Sequence, residues 1–262
     1  MIDSHCHIND ELYINNPEEY IKEATSMGVN FFLVVGFDLK SSIDAVNIAN
    51  EFDNVYAAVG IHPSDVKKRG VNDLEEIEKL LSNKKVIAIG EIGLDYYWDK
   101  EEEIIKEQKE FFIKQIDLAN KYNLPISIHC RDAIGDCLTI LKEHKVNRGG
   151  IMHCYAGSKE IAPEFIKLGF LLGFGGTVTF KNSVKPKETI TSISSSDYVL
   201  ETDAPYLTPV PYRGKPNHSK YLIYVANQIS ELRGEPVDKV ILDTTNNFKR
   251  VFKIWRNKSK VF

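Results

Sequence analysis

Eight short apolar, β-branched runs recur along the chain, each followed by a longer amphipathic stretch, and this alternation restricts the fold more than any other feature. The runs are Met1 to His5, Phe31 to Gly36, Val55 to Gly60, Val86 to Gly90, Pro125 to His129, Gly150 to His153, Phe170 to Phe174 and Tyr198 to Glu201. They read as apolar runs rather than alternating ones, as parallel strands buried on both faces do. The longest intervening segment, Glu102 to Tyr122, keeps Ile105, Phe112, Ile116 and Ala119 on one stripe at helical spacing. Eight strand-then-helix units within 262 residues predict an α/β fold of the (β/α)8 TIM barrel type. No linker, low-complexity tract or compositional shift divides the chain, so residues 1–262 are expected to form a single domain. Thr202 to Asn217 reads as a Pro-rich loop. C-terminal helices are expected from about Ser219 to Arg233 and Pro236 to Trp255, with the basic stretch KRVFKIWRNKSK as a solvated helix end.

With 43% apolar and 27% charged residues the chain can build a substantial core and is neither disordered nor fibrous. The apolar stretch FFLVV falls far short of the roughly 20 residues that cross a bilayer. A strand-like start bearing two histidines occupies the place of a secretory signal, so the expected location is cytoplasmic, with no membrane contact. The four cysteines, Cys6, Cys130, Cys137 and Cys154, show no CxxC pairing and are expected to be reduced thiols. A formal charge of −4 argues against a large basic surface for nucleic acid, so an anionic substrate must be held by something local. Nothing points to an obligate protein partner.

In a barrel of this kind, side chains at the C-terminal strand ends converge on one face. Those ends carry His5 and His7, His62 just past the third strand, Glu91, His129, His153 and Asp203. In an extended strand His5 and His7 point the same way, roughly 6.5 to 7 Å apart, and can close on one cation. Cys6 points the other way, and the same parity places Cys130 and Cys154 opposite His129 and His153, as small core residues. Burying four histidines and two carboxylates together without a cation costs on the order of several kcal/mol per unpaired charge. Six such groups are too many for one catalytic ion that keeps a position open. Two ions sharing a bridging carboxylate, about 3.5 to 4 Å apart, fit better. Imidazole and carboxylate suit transition metals more than calcium; magnesium, manganese and zinc are the candidates carried forward.

At these residues the sequence resembles the TatD family of metal-dependent deoxyribonucleases, within the amidohydrolase-like metal hydrolases. The resemblance is carried, in order, by DSHCHI (3–8), GIHP (60–63), GEIGLDYYW (90–98), IHCRDA (128–133), HCYAGS (153–158), FGGTVTFKN (174–182) and LETDAPYLTPVPYRGKPN (200–217). It implies a barrel whose two-metal site hydrolyses phosphodiester bonds in DNA, as an exonuclease acting from the 3′ end of single strands. By motif, His5, His7 and Asp203 would hold the first ion, His129 and His153 the second, and Glu91 would bridge them. Asp203 would also orient or deprotonate the attacking water. Glu91 takes the place where related amidohydrolases carry a modified lysine, which favours the nuclease-like branch. The loop after the last strand departs from the family pattern RGKRNEP, placing Pro216, His218 and Ser219 at its basic, acidic and proline positions.

Other residues are candidate substrate contacts. Arg131, directly after the fifth strand, suits a bidentate phosphate contact or a structural salt bridge. Tyr96, Tyr97 and Trp98 suit stacking on unpaired bases or packing of a loop. His62, Tyr155, Arg213 and Lys215 complete the set, with His62 expected near the site without ligating. Glu201, by parity, is expected to point away from Asp203 and form a structural ion pair. The ligand types equally permit a hydrolase of an amide or ester bond in a small molecule or aminoacyl-tRNA, since activated water attacks either centre.

Overall fold

Each of the eight runs forms a strand in the computed structural model, which describes residues 1–253. The strands are β1 (Ile2–Cys6), β2 (Phe31–Val35), β3 (Val55–Val59), β4 (Val86–Asp95), β5 (Ile126–Arg131), β6 (Gly150–Met152), β7 (Phe170–Phe174) and β8 (Tyr198–Leu200). They pair in parallel and in sequence order, each with the next. Helices α1 (Pro17–Ser26), α2 (Leu39–Glu51), α3 (Asp73–Leu80), α4 (Glu102–Tyr122), α5 (Ile134–Glu143), α6 (Ala162–Lys167), α7 (Val184–Ser192) and α8 (Leu222–Arg233) follow the strands in turn. A final helix, α9, spans Val237–Phe252, so the expected helix through Trp255 is seen to Phe252. Lys253 already leaves the helix in the left-handed region (φ +54°), ending it at Phe252, and the basic end from residue 254 onward lies outside the described residues.

The alternation of side chains builds two apolar layers. Cys6, Phe32, Val34, Ala57, Val59 and Ile89 face the helices, whereas Leu33, Val35, Ala58, Ala88, Ile151, Leu171 and Val199 fill the barrel. Phe248 and Phe252 of α9 join the inner set. Their rings stack 4.1 Å apart, and Phe248 meets Phe31, the first residue of β2, at 5.7 Å. The N-terminal end of the barrel is therefore floored by aromatic rings, which leaves the opposite end for chemistry.

Two strand ends differ from expectation, and both differences shape that opposite end. β4 runs five residues past Gly90 to Asp95, with a register shift between Ile89 and Ile92. Gly93 sits at φ +141° with its Cα so close to β5 that a Cβ would lie 2.0 Å from His129 O, which only glycine permits. β6 stops at Met152, and the backbone turns left-handed at Cys154 (φ +44°). No strand ladder joins β8 to β1; Asp203 N donates to His5 O at 2.9 Å and His7 N to Ala204 O at 2.8 Å just beyond their ends. Among the described residues no helix is long and apolar enough to cross a membrane.

Candidate active site

β1 delivers His5 and His7 to the C-terminal mouth of the barrel, where both rings are buried. His7 Nδ1 lies 2.8 Å from Val35 O, and a carbonyl only accepts, so Nδ1 carries the proton. In the neutral ring the Nε2 lone pair then points inward, 3.3 Å from His5 Nε2. Glu91 Oε2 is 3.4 Å from His5 Nε2, while Asp203 Oδ1 is 3.5 Å from His7 Nε2 and 3.6 Å from His153 Nε2. The His153 ring stacks on His5 with centroids 3.5 Å apart. His5, His7, Glu91, His153 and Asp203 thus surround one small volume.

Glu91 faces two ways. Its Oε2 looks toward His5, whereas Oε1 lies 2.9 Å from His129 Nδ1 and 3.7 Å from His62 Nε2. His129 stands 3.0 Å from Asp95 Oδ2 through its other nitrogen. His62 Nδ1 accepts from Ser64 N at 3.2 Å, so its neutral ring carries the proton on Nε2 and presents a donor, not a lone pair, to the cavity. Donor atoms within 4.8 Å of one another fall into sets that include His5–Glu91–His153, His5–His7–Asp203 and His62–Asp95–His129. His153 therefore groups with His5, and His129 with His62.

The charges in this cluster have been bargained between rings and carboxylates. Burial and His153 push His5 down toward neutrality. Burial also opposes charge on His129 and His153, but Asp95 and Glu91 raise the first to about 9, and Glu201 and Asp203 raise the second to about 10. Burial would raise the Glu91 and Asp203 carboxyls, yet the surrounding histidines outweigh it and hold both below the ordinary range. Burial and His129 drive His62 down to about 3. Protons on imidazoles thus balance the carboxylates, in the positions where a divalent cation would replace them. The inward-facing Nε2 atoms of His5, His7 and His153 and the Nδ1 of His129 are donors such a cation could use, with Val35 O, Glu201 and Asp95 behind the rings as outer support.

Supporting residues hold these groups in place. Glu201, fully buried, has Oε1 at 3.1 Å from His153 Nδ1 and accepts from Cys154 N at 2.6 Å. It serves the site from behind, as an ion-pair partner, and a Cβ at Gly173 would approach its Oε2 to 2.2 Å. Asp3, also fully buried, accepts from Thr202 N (2.9 Å), Thr202 Oγ1 (2.6 Å) and Ser219 Oγ (2.6 Å), pinning the segment that leads to Asp203. Asp203 itself sits in the left-handed region (φ +58°), a conformation aspartate tolerates when its surroundings impose it.

The mouth opens into a cavity of about 670 Å³ lined by His7, Glu91, His129, His153 and Asp203 together with Trp98, Arg131, Cys154 and Tyr206. Arg131 makes no ion pair among the described residues; its guanidinium lies 3.8 Å over the Tyr97 ring. Several expected contacts fall elsewhere. Tyr155 is in the core: the left-handed turn at Cys154 sends it under Phe165 and Phe174, its hydroxyl donating to Ser158 O at 3.0 Å. The same turn brings Cys154 to the cavity wall instead of the helix layer. Tyr96 packs against the core and donates to Asp136 Oδ2 at 2.9 Å. Arg213, exposed, stacks on Phe180 at 3.8 Å, and neither it nor Lys215 lines the cavity. Asp95 was not among the expected residues; with β4 read as ending at Gly90 nothing placed it inward, although it lies four residues after Glu91 in GEIGLD.

The comparisons with known proteins agree with this geometry. The profile of the family described as "TatD related DNase" matches residues 2–253. The metal-dependent hydrolase YabD of Bacillus subtilis is 48% identical over 255 residues, covering 97% of this chain and 99% of its own. The metal-dependent hydrolase YcfH of Escherichia coli is 35% identical over 258 residues, covering 97% and 96%. The crystal structure of YjjV, a TatD homologue from Escherichia coli, superposes with a TM-score of 0.92 at 30% identity, covering 97% of this chain and 98% of that one. By sequence, by fold and by this cluster of histidines and carboxylates, the chain belongs to the TatD-related DNase family of metal-dependent hydrolases.

Proposed function

We propose that this protein hydrolyses phosphodiester bonds in DNA, as a 3′–5′ exonuclease on single strands. The observation that carries the reading is Glu91, whose two oxygens face separate histidine sets, His5 on one side and His129 on the other. His5, His7 and Asp203 would hold one divalent cation and His129 and His153 a second, with Glu91, which groups with His153 and meets His129 through Oε1, between them; magnesium, manganese and zinc are the candidates. When bound, the cations would supply Lewis-acid stabilisation of phosphoryl oxygens and acidify a water.

The chain's own groups do the rest. Asp203, kept ionised by its histidine neighbours, is placed to take a proton at Oδ1. His62 offers a neutral Nε2–H to a phosphate oxygen at the same wall. Asp95 and Glu201 fix the rings of His129 and His153 and so the direction of their lone pairs. The local positive charge that an anionic substrate needs then comes from bound ions, consistent with a chain whose formal charge is −4. Four unpaired thiols favour a reducing, cytoplasmic setting.

The test is hydrolysis of an end-labelled single-stranded oligonucleotide by chelator-stripped protein, with magnesium, manganese or zinc restored singly. The expected result is metal-dependent shortening, with the ladder running from the 3′ end. Two equivalents of metal bound with the DNA left intact under every ion would overturn the DNA reading and move an amide or ester substrate ahead. His129→Ala is expected to abolish turnover while leaving the circular dichroism spectrum unchanged.

A further inference from the structure

Trp98 is a large aromatic side chain left 67% exposed, and it lines the same cavity as Glu91, His129 and Asp203. Exposed tryptophans are ordinarily found on loose segments, but this one is clamped on both sides. Asp95 Oδ1 accepts from Tyr97 N at 2.9 Å and Trp98 N at 3.3 Å. One residue past Trp98, the buried Asp99 holds Lys67 Nζ at 2.5 Å, tying the turn to the segment after β3. The indole is further braced by the Tyr97 ring, edge-on at 4.7 Å, and by the Arg131 guanidinium at 5.5 Å from its centre. Arg131, Tyr97 and Trp98 form one contiguous unit, Arg131 lying 3.8 Å over the Tyr97 ring and Tyr97 edge-on to the indole.

A fixed indole with a free face exposes apolar area to water without a packing return, and an arginine beside it adds positive charge at the cavity mouth. The ligand that uses both is a planar, apolar-faced ring attached to an anion. Tyr96, spent on Asp136, and Tyr97, which carries Arg131 on its ring, do not line the cavity, which singles out Trp98 among the three aromatics. A cavity of about 670 Å³ accommodates more than a phosphate group, in keeping with a nucleoside lying between the carboxylate floor and the rim.

The geometry points to Trp98, braced by Tyr97 and Arg131, as the stacking subsite for the nucleobase next to the scissile phosphodiester. This deepens the nucleic-acid reading above and rests on it. The same Asp95 that fixes the turn also holds His129, so the base platform and the ligand-bearing strand β5 share one anchor.

Two measurements test it. The first compares wild type, Trp98→Ala and Trp98→Phe in hydrolysis of a thymidine oligonucleotide and of the same strand with an abasic terminal residue. A stacked base contributes roughly 1–3 kcal/mol, which is a change of about 5- to 150-fold in affinity. Trp98→Ala is expected to raise KM on the thymidine strand within that range with kcat little changed. It should have no effect on the abasic strand, and Trp98→Phe should lose much less. An equal loss on both strands, or none on either, overturns the proposal. The second needs neither turnover nor a variant that folds: titration of wild-type tryptophan fluorescence with the two oligonucleotides. Only two tryptophans, Trp98 and Trp255, emit. Quenching by the thymidine strand and not the abasic one supports the subsite, and equal quenching or none overturns it. Absence of DNA cleavage with base-dependent quenching intact would sink the nuclease reading alone.

Discussion

At Asp95 one carboxylate serves three partners, with Oδ2 3.0 Å from His129 Nε2 and Oδ1 accepting the Tyr97 and Trp98 amides. Asp95→Asn keeps an oxygen for the amides but turns an NH2 group toward His129, where it cannot accept the ring's proton. Removing such an outer partner of a ligating histidine costs about 10- to 100-fold in metal affinity or activity. The expected outcome is a fall of that size in metal-restored turnover with an unchanged far-UV spectrum; wild-type turnover would refute the ring-orienting role. Ser219 shows a second residue-level device. Its hydroxyl donates to Asp3 Oδ2 and its amide donates to the Tyr20 hydroxyl, both at buried positions. Ser219→Ala removes one donor to a buried carboxylate and is expected to lower stability by about 1–2 kcal/mol, read from the urea midpoint.

Elements were more legible in the sequence than the directions of side chains at their ends. All eight apolar runs are strands, and Glu102–Tyr122 is a helix with the same bounds, because an apolar stripe at helical spacing and buried parallel strands leave strong periodic signals. The four histidines and two carboxylates likewise gather, since strand ends must converge. Parity failed at Cys154, where β6 ends early and a left-handed residue resets the alternation, and the same turn buries Tyr155, a candidate substrate contact. Asp95 was missed for another reason: β4 reads as ending at Gly90, and its run on to Asp95 is set by pairing with β5 that no local pattern records. The loop after β8 is another element whose order comes from tertiary contacts. His218 stacks on Tyr20 at 3.8 Å, its Nδ1 accepts from Lys220 N, and its Nε2 lies 3.4 Å from Glu23. Burial and Lys220 outweigh Glu23 and lower its pKa to about 4. The unfolded chain takes up this proton near pH 6.5, so between about 6.5 and 4 it binds more protons than the folded one. The His218 contribution is therefore complete above about pH 6.5 and is lost as pH falls to about 4. Chelator-stripped His218→Asn, which retains an acceptor for Lys220 N, is expected to show a shallower loss of stability than wild type across that window. Parallel curves would refute it.

Across the whole molecule, the barrel is asymmetric in how it closes. Its N-terminal end is sealed by Phe31, Phe248 and Phe252, but the seam between β8 and β1 has no strand ladder. It is held by the His7–Ala204 and Asp203–His5 backbone bonds and by Asp3 on Thr202. The proposed ligands straddle this same seam, His5 and His7 on one side and Asp203 on the other. A cation held among them would therefore act as a staple on the weakest closure of the barrel as well as a reagent. A ligand that binds only the folded state adds about 2.7 kcal/mol at a hundredfold excess over its Kd. For a chain of this size that corresponds to a rise in Tm of about 5–10 °C. Calorimetry of metal-loaded against chelator-stripped wild type should show this rise, and Asp203→Asn should lose most of it. Hydrogen exchange should slow on metal addition chiefly in β1 and the segment after β8, because these carry the ligands that the seam separates. An unchanged Tm with metal demonstrably bound, or protection spread evenly over all eight strands, would separate the site from the seam and leave the closure to the backbone bonds and Asp3.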